Sequence, residues 1–158
     1  MLSDVIRKHT IMEDKESKVY ELGYLILPSV AEDKLKSVVD KIKGIISEKG
    51  GKEIDGEEPF KYDLAYTMSK TIGASRYVVN DAYIGWIKFE LPLEEAAELK
   101  KGVDLIEEVL RTMLIRAPRE TSFSFAKARE KAQKEAEEAR RGSEPEEVPE
   151  VPSEEVVE

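Results

Sequence analysis

The stretch 19–28, VYELGYLILP, has a second copy at 83–92, YIGWIKFELP, and no other feature constrains the fold as tightly. Each run is rich in aromatic and branched aliphatic residues, which suit a pleated, buried surface. Each closes on a proline, which cannot donate to a ladder and suits the end of a strand. Each is followed by an acidic stretch with helical spacing. The repeat predicts two strand–helix–strand units, the split βαβ arrangement.

Taken in order, the first strand spans 19–27, with Tyr20, Leu22, Tyr24 and Ile26 on one face. Ser29 precedes Glu32 by three, the spacing of a capping box. Leu35, Val38, Val39, Ile42, Ile45 and Ile46 then recur at helical intervals, and Gly50 and Gly51 mark the helix end. Burying that stripe is worth roughly 10 kcal/mol before chain entropy is counted, so the helix must cover a sheet. Residues 52–68 form a poorer strand. Gly56 and Pro59 within it predict a bulged or edge position. The piece 69–81 reads as a loop or long hairpin connection whose Lys70 and Arg76 are free to reach outward. The third strand, 83–91, puts Tyr83, Gly85, Ile87, Phe89 and Leu91 toward the core, leaving Trp86 and Lys88 on an uncovered face. A weaker helix over 93–101 ends at Gly102. The fourth strand, 109–116, sets Arg111 on a face with Val109, Met113 and Ile115. The fold class is α+β: a ferredoxin-like βαββαβ chain, with a four-stranded antiparallel sheet and two helices on one face.

Four regions follow from composition. Residues 1–18 mix isolated apolar positions with balanced charge and read as a flexible extension. Residues 19–120 are the folded domain, residues 121–141 a charged helical extension, and residues 142–158 a disordered acidic tail. The formal net charge of -9 is shared between these parts, about half of it falling beyond residue 120. What remains on the folded domain is mildly acidic, unlike the strong positive field of a protein that grips nucleic acid unaided. Cysteine is absent, so neither disulfides nor thiol chemistry enter. No apolar run reaches the ~18 residues of a membrane span, and no signal-peptide core is present, which predicts a cytosolic protein.

Catalytic signatures are missing. The sequence has no phosphate-binding glycine loop, no paired histidine–cysteine metal spacing and no nucleophile elbow. His9, the only histidine, sits in the extension. The expectation is therefore a non-enzyme with no metal, no cofactor and no small-molecule substrate. Two binding readings remain. In one, the open sheet face and a rim of Lys61, Lys70, Arg76, Lys88, Arg111, Arg116 and Arg119 meet the phosphates of structured RNA, with Tyr66 or Trp86 stacking or packing. In the other, the same face is a protein-interaction or small-molecule-binding regulatory module, since this fold hosts many functions.

VYELGYLILP, DLAYTMSK, YIGWIKFELP and VLRTMLIR, in that order and spacing, resemble the bacterial small-subunit ribosomal protein six family over about 19–117. The resemblance implies a four-stranded antiparallel sheet with two helices on one side, in a structural ribosomal component without catalysis. It implies binding to the central domain of small-subunit rRNA jointly with ribosomal protein eighteen of the small subunit, in the cytoplasm. It sets Tyr66, Lys70, Trp86 and Arg111 near RNA or partner. Tyr62 and Asp63 stand where many family members carry a basic pair, which implies weaker direct RNA affinity and more reliance on the partner.

Overall fold

In the computed structural model, which describes residues 16–142, β1 (Ser17–Ile26) and β3 (Ser75–Pro92) pair antiparallel with Tyr24 opposite Gly85. A methyl group on Gly85 would lie 2.5 Å from Tyr24 Oη, so the phenol ring occupies the space a side chain there would need. That register puts Tyr20, Leu22, Tyr24 and Ile26 on the same face as Tyr83, Ile87, Phe89 and Leu91, and all eight are buried. Tyr20 and Phe89 stack with centroids 6.4 Å apart.

Two helices cover this face. α1 (Glu32–Glu48) buries Leu35, Val38, Val39, Ile42 and Ile46. The capping box expected at Ser29 does not form. The helix starts two residues later, at an Ala31 N-cap without a side-chain bond, and the acidic Glu32 and Asp33 meet its positive end instead. At the other end Gly50, with φ of 82°, and Gly51 donate back to Ser47 and Ile46, as a left-handed C-terminal cap requires. A short 3₁₀ turn (Leu93–Glu95) leads into α2 (Ala96–Asp104), whose Leu99 and Val103 are fully buried. Gly102 does not end this helix. It lies inside it where α2 meets Ile45 of α1: a Cβ there would sit 3.3 Å from Ile45 Cγ2.

β4 (Val109–Arg116) joins the free side of β1, and β2 (Lys52–Ile72) the free side of β3, giving the antiparallel order β2-β3-β1-β4 with β2 and β4 at the edges. The expected edge position and bulging of β2 are both present, with register shifts between Glu53 and Asp55 and between Glu57 and Phe60. The β4 register shifts as well: Leu25 faces Arg111 while Ile26 faces Val109, so Leu110 is an extra residue. The bulge separates Val109, buried in the core, from Arg111, which lies on the opposite face; they do not share one as the simple alternation predicted.

Residues 69–81 are the far part of a β2–β3 hairpin that pairs out to Ile72 and Ser75. Leu64, Met68, Ile72 and Val79 pack on a second, smaller cluster around Leu27, Ala82 and Leu110. Lys70 fastens it there, donating to the carbonyls of Ile106 (2.7 Å) and Val109. Desolvation lowers the pKa of this ammonium.

The chain divides into two compact units, one ending at Thr121 and the other beginning at Ser122. The second contains α3 (Phe125–Arg141), which buries no residue. Ser124 caps it, Phe123 and Phe125 meet edge-on at 5.3 Å, and i,i+4 pairs such as Arg141–Glu137 run along it. The flexible extension expected over 1–18 lies, up to residue 15, outside the described residues, as does the acidic tail from residue 143.

Two outcomes test this packing. Gly85→Ala should destabilise the domain by about 1–3 kcal/mol, because Tyr24 must leave its rotamer or the strands must part. Urea denaturation measures this, and an unchanged midpoint would mean the ring moves aside freely. Lys70→Met keeps the aliphatic stem but leaves two carbonyls short of a donor, and should cost about 1–2 kcal/mol in the same assay.

Candidate nucleic-acid interface

The face of the sheet turned away from α1 and α2 is divided into a closed half and an open half. On β3 it carries Ile84, Trp86, Lys88 and Glu90, which the register sets opposite Leu25, Gly23, Glu21 and Val19 of β1. The expectation that Trp86 and Lys88 lie uncovered is overturned: they are 4% and 2% exposed. The indole N–H of Trp86 donates to Glu57 Oε2 at 2.5 Å. The chain beyond β4 folds back over Lys88, whose Nζ donates to Thr121 Oγ1 (3.0 Å) and the Glu120 carbonyl (3.4 Å). Arg119 of the same segment pairs with Glu90 at 2.6 Å. A buried ammonium needs such acceptors, because removing it from water without them is prohibitive.

The open half belongs to β4. Past the bulge, Arg111, Met113 and Ile115 alternate onto the outer face, opposite Leu25, Gly23 and Glu21. Met113 is 67% and Ile115 46% exposed, and Arg111 and Arg116 are exposed as well. Arg116 lies close enough to Glu16 to help hold that carboxyl below its ordinary range, behind the larger effects of Lys18. The edge of β4 away from β1 has no strand beside it among the described residues. Met113 and Ile115 beside the Arg111 guanidinium form a contact surface that water solvates poorly over the apolar pair, while Arg116, opposite Tyr20, leaves the end of the strand on its other face.

The remaining predicted residues lie elsewhere. Lys61, on β2, pairs with Asp81 at 3.1 Å, and that hydrogen bond raises its pKa. Tyr66 stands on the broad bulge at 64–67, which opposes Asn80 alone, and is 62% exposed. In the same bulge Leu64 turns inward to the smaller cluster, while Thr67 donates to Asn80 Oδ1 at 2.7 Å. Lys70 does not reach outward as expected, because its ammonium is spent on backbone carbonyls. Arg76 is exposed near the hairpin tip and donates to Ser69 Oγ at 3.3 Å. The structure thus groups Arg111 and Arg116 on one strand, sets Lys61, Tyr66 and Arg76 along the hairpin, and withdraws Lys70, Trp86 and Lys88 from solvent.

Sequence reading missed the exposed apolar pair, Met113 and Ile115, as part of the surface. The signal was present in VLRTMLIR, where two large apolar residues share the arginine's side. It missed Tyr77 (41% exposed) and Val78 (61%) on the hairpin as well, because 69–81 showed no clear period. Among the described residues no group of His, Cys, Asp and Glu is placed to hold a metal, and no helix is long and apolar enough to cross a membrane.

Comparison with known proteins fits this geometry. A family model described as Ribosomal protein S6 matches residues 19–116, the stretch from β1 to the end of β4. The chain is similar to small ribosomal subunit protein bS6 of Acholeplasma laidlawii, at 30% identity over 97 residues, and to that of Alkaliphilus oremlandii, at 31% over 97. Each alignment covers 61% of this chain and 94% of the relative. Among solved structures it is similar to the 30S ribosomal protein S6 of Thermotoga maritima, with a TM-score of 0.54 and 25% identity, over 75% of this chain and 99% of that one. With the whole sheet and both covering helices inside the matched region, the chain belongs to the ribosomal protein S6 family of the small ribosomal subunit.

Proposed function

We propose that the chain binds the central domain of small-subunit rRNA jointly with ribosomal protein eighteen, using the outer face of β4 as the centre of the contact. Membership in the family makes it a structural, non-enzymatic constituent of the small ribosomal subunit, and so of the cytoplasm. The observation that supports the finer reading is the exposed Arg111–Met113–Ile115 strip on an edge strand, with Arg116 exposed at the strand end. Met113 and Ile115 suit the apolar centre of a protein contact, and the guanidiniums of Arg111 on the same face and Arg116 at the strand end suit phosphate oxygens. Tyr66, Arg76 and Lys61 on the hairpin, and Arg119 beside Glu90, are proposed as its periphery. Trp86 and Lys88 are proposed to support the surface from beneath, and Lys70 to hold the hairpin in place.

The charge balance favours shared binding. The domain has fewer basic than acidic side chains, and Lys61 and Arg119 already face carboxylates. Direct affinity for RNA rests on few phosphate contacts, so a partner carrying its own cations strengthens the complex.

Filter binding of a central-domain RNA fragment across a salt series, with and without the partner, tests this. Joint binding should exceed binding by either protein alone and weaken as salt rises. Arg111→Ala and Arg116→Ala should each reduce the salt slope by about 1 and weaken the joint complex several-fold. Met113→Ser should weaken association with the partner by about tenfold. Absence of RNA binding both with and without the partner would refute the proposal.

A further inference from the structure

The outer face of β4 has no layer over it among the described residues, and the chain enters the sheet beside it. Glu16, the first described residue, accepts through its carbonyl from the Leu93 N–H at 3.0 Å, and Ser17 pairs with Pro92 of β3. On the other side of β1, Tyr20 faces Arg116, and the Ala117 N–H donates to the Val19 carbonyl at 3.1 Å. Residues 1–15 therefore lead away from the sheet next to the last residues of β4. Glu16 is already close enough to Arg116 to feel its charge.

Distance and charge together select what this segment can meet. The β1 residues opposite Arg116, Ile115, Met113 and Arg111 are Tyr20, Glu21, Gly23 and Leu25. They lie roughly 14, 17, 24 and 30 Å along the strand from Glu16. In an extended chain Glu13, Ile11, Ile6 and Asp4 reach about 10, 17, 35 and 42 Å from the same residue. Leading away from Glu16, the segment reads acidic pair (Asp14, Glu13), apolar pair (Met12, Ile11), apolar pair (Ile6, Val5), acid (Asp4). From its end, β4 reads cation (Arg116), apolar (Ile115), apolar (Met113), cation (Arg111). The two orders are complementary, each partner is within reach, and the Arg116 side chain spans the one short gap. Arg7 and Lys8 fall between the two apolar pairs, where Glu21 stands opposite Ile115. A tethered segment meets its own surface at an effective concentration of about millimolar, so a contact too weak to form between separate molecules is still populated.

We propose that residues 4–14 dock along the outer face of β4, parallel to it, with Val5, Ile6 and Ile11 over Met113 and Ile115, Asp4 beside Arg111, and Glu13 and Asp14 beside Arg116. The segment is a removable cover for the apolar pair, and any molecule that takes this face displaces it. The proposal rests on the exposure of β4 and not on what the strand binds in the ribosome.

The test uses the full chain alone, without RNA or partner. Cysteine is absent, so Ser3→Cys supplies the single attachment point for a nitroxide. In NMR spectra the label should remove most of the signal of the Met113 methyl and the Arg111 amide. The amide of Lys36, on α1 across the sheet, should keep its intensity. Val5→Asp together with Ile6→Asp leaves the tether intact and should restore most of the lost signal. Both positions lie outside the core, and a urea midpoint equal to the parent's would show that the doubly substituted chain folds. Three results would overturn the proposal. One is full intensity at Met113 and Arg111 in the labelled chain. Another is equal loss in the doubly substituted chain, which is what a tether without docking produces. The third is loss that appears only when the labelled chain is mixed with a second, isotope-enriched copy, since the cover would then come from another molecule.

Discussion

The fit of Tyr24 against Gly85 sets the phase of the whole sheet. A strand's side chains alternate with period two, so a slip of one residue would exchange the two faces of β1 relative to β3. The phenol ring over a position without a side chain makes such a slip sterically expensive. Once that pair is in register, the apolar side of both central strands is committed to α1 and α2. What β4 shows to the outside follows from its own pairing with β1.

The second face is less uniform than a two-layer plan suggests. Over its β3 half, the chain after β4 takes the place of a covering layer, through Arg119, Glu120 and Thr121. Lys88 shows the physical logic: it is buried within the otherwise apolar run 82–89 and is satisfied by neutral oxygens of that segment. The closing segment also confines the open surface to β4, where apolar and cationic side chains lie side by side. At the other end of the sheet, the long hairpin seals a minor core through Leu64, Met68, Ile72 and Val79.

The strands and helices could be read from periodicity because each element buries one face, and that requirement shapes its sequence directly. Tyr20, Leu22, Tyr24 and Ile26 on one strand and Leu35, Val38, Val39, Ile42 and Ile46 on the helix declare the core without further help. The edge character of β2 was legible for the same reason, since Gly56 and Pro59 are poor tenants of a central strand. What could not be read depended on contacts made across the chain. Gly102 looks like a helix terminator until Ile45 is seen to need the space. Ser29 has capping spacing, but the turn in which Val30 donates to Leu27 delays the helix beyond it. The extra residue at Leu110 reverses the apparent face of Val109, and no alternation rule detects a bulge from one strand alone. Lys70 and Lys88 resemble surface cations in sequence, and only the returning segments reveal that each is held by oxygens 32 or more residues away.

The bulge in β4 has a consequence beyond the placement of Arg111. A terminal strand with free amides and carbonyls on one side is a template on which a second copy of the same strand can grow, and an apolar pair such as Met113 and Ile115 would make that growth favourable. The irregular step at Leu110 interrupts the straight run of backbone groups such stacking needs, and guanidiniums near either end add like-charge repulsion between copies. The features that leave this strand open to a different molecule thus discourage it from accepting itself, so solubility of the unassembled chain and readiness for assembly are secured by the same few residues.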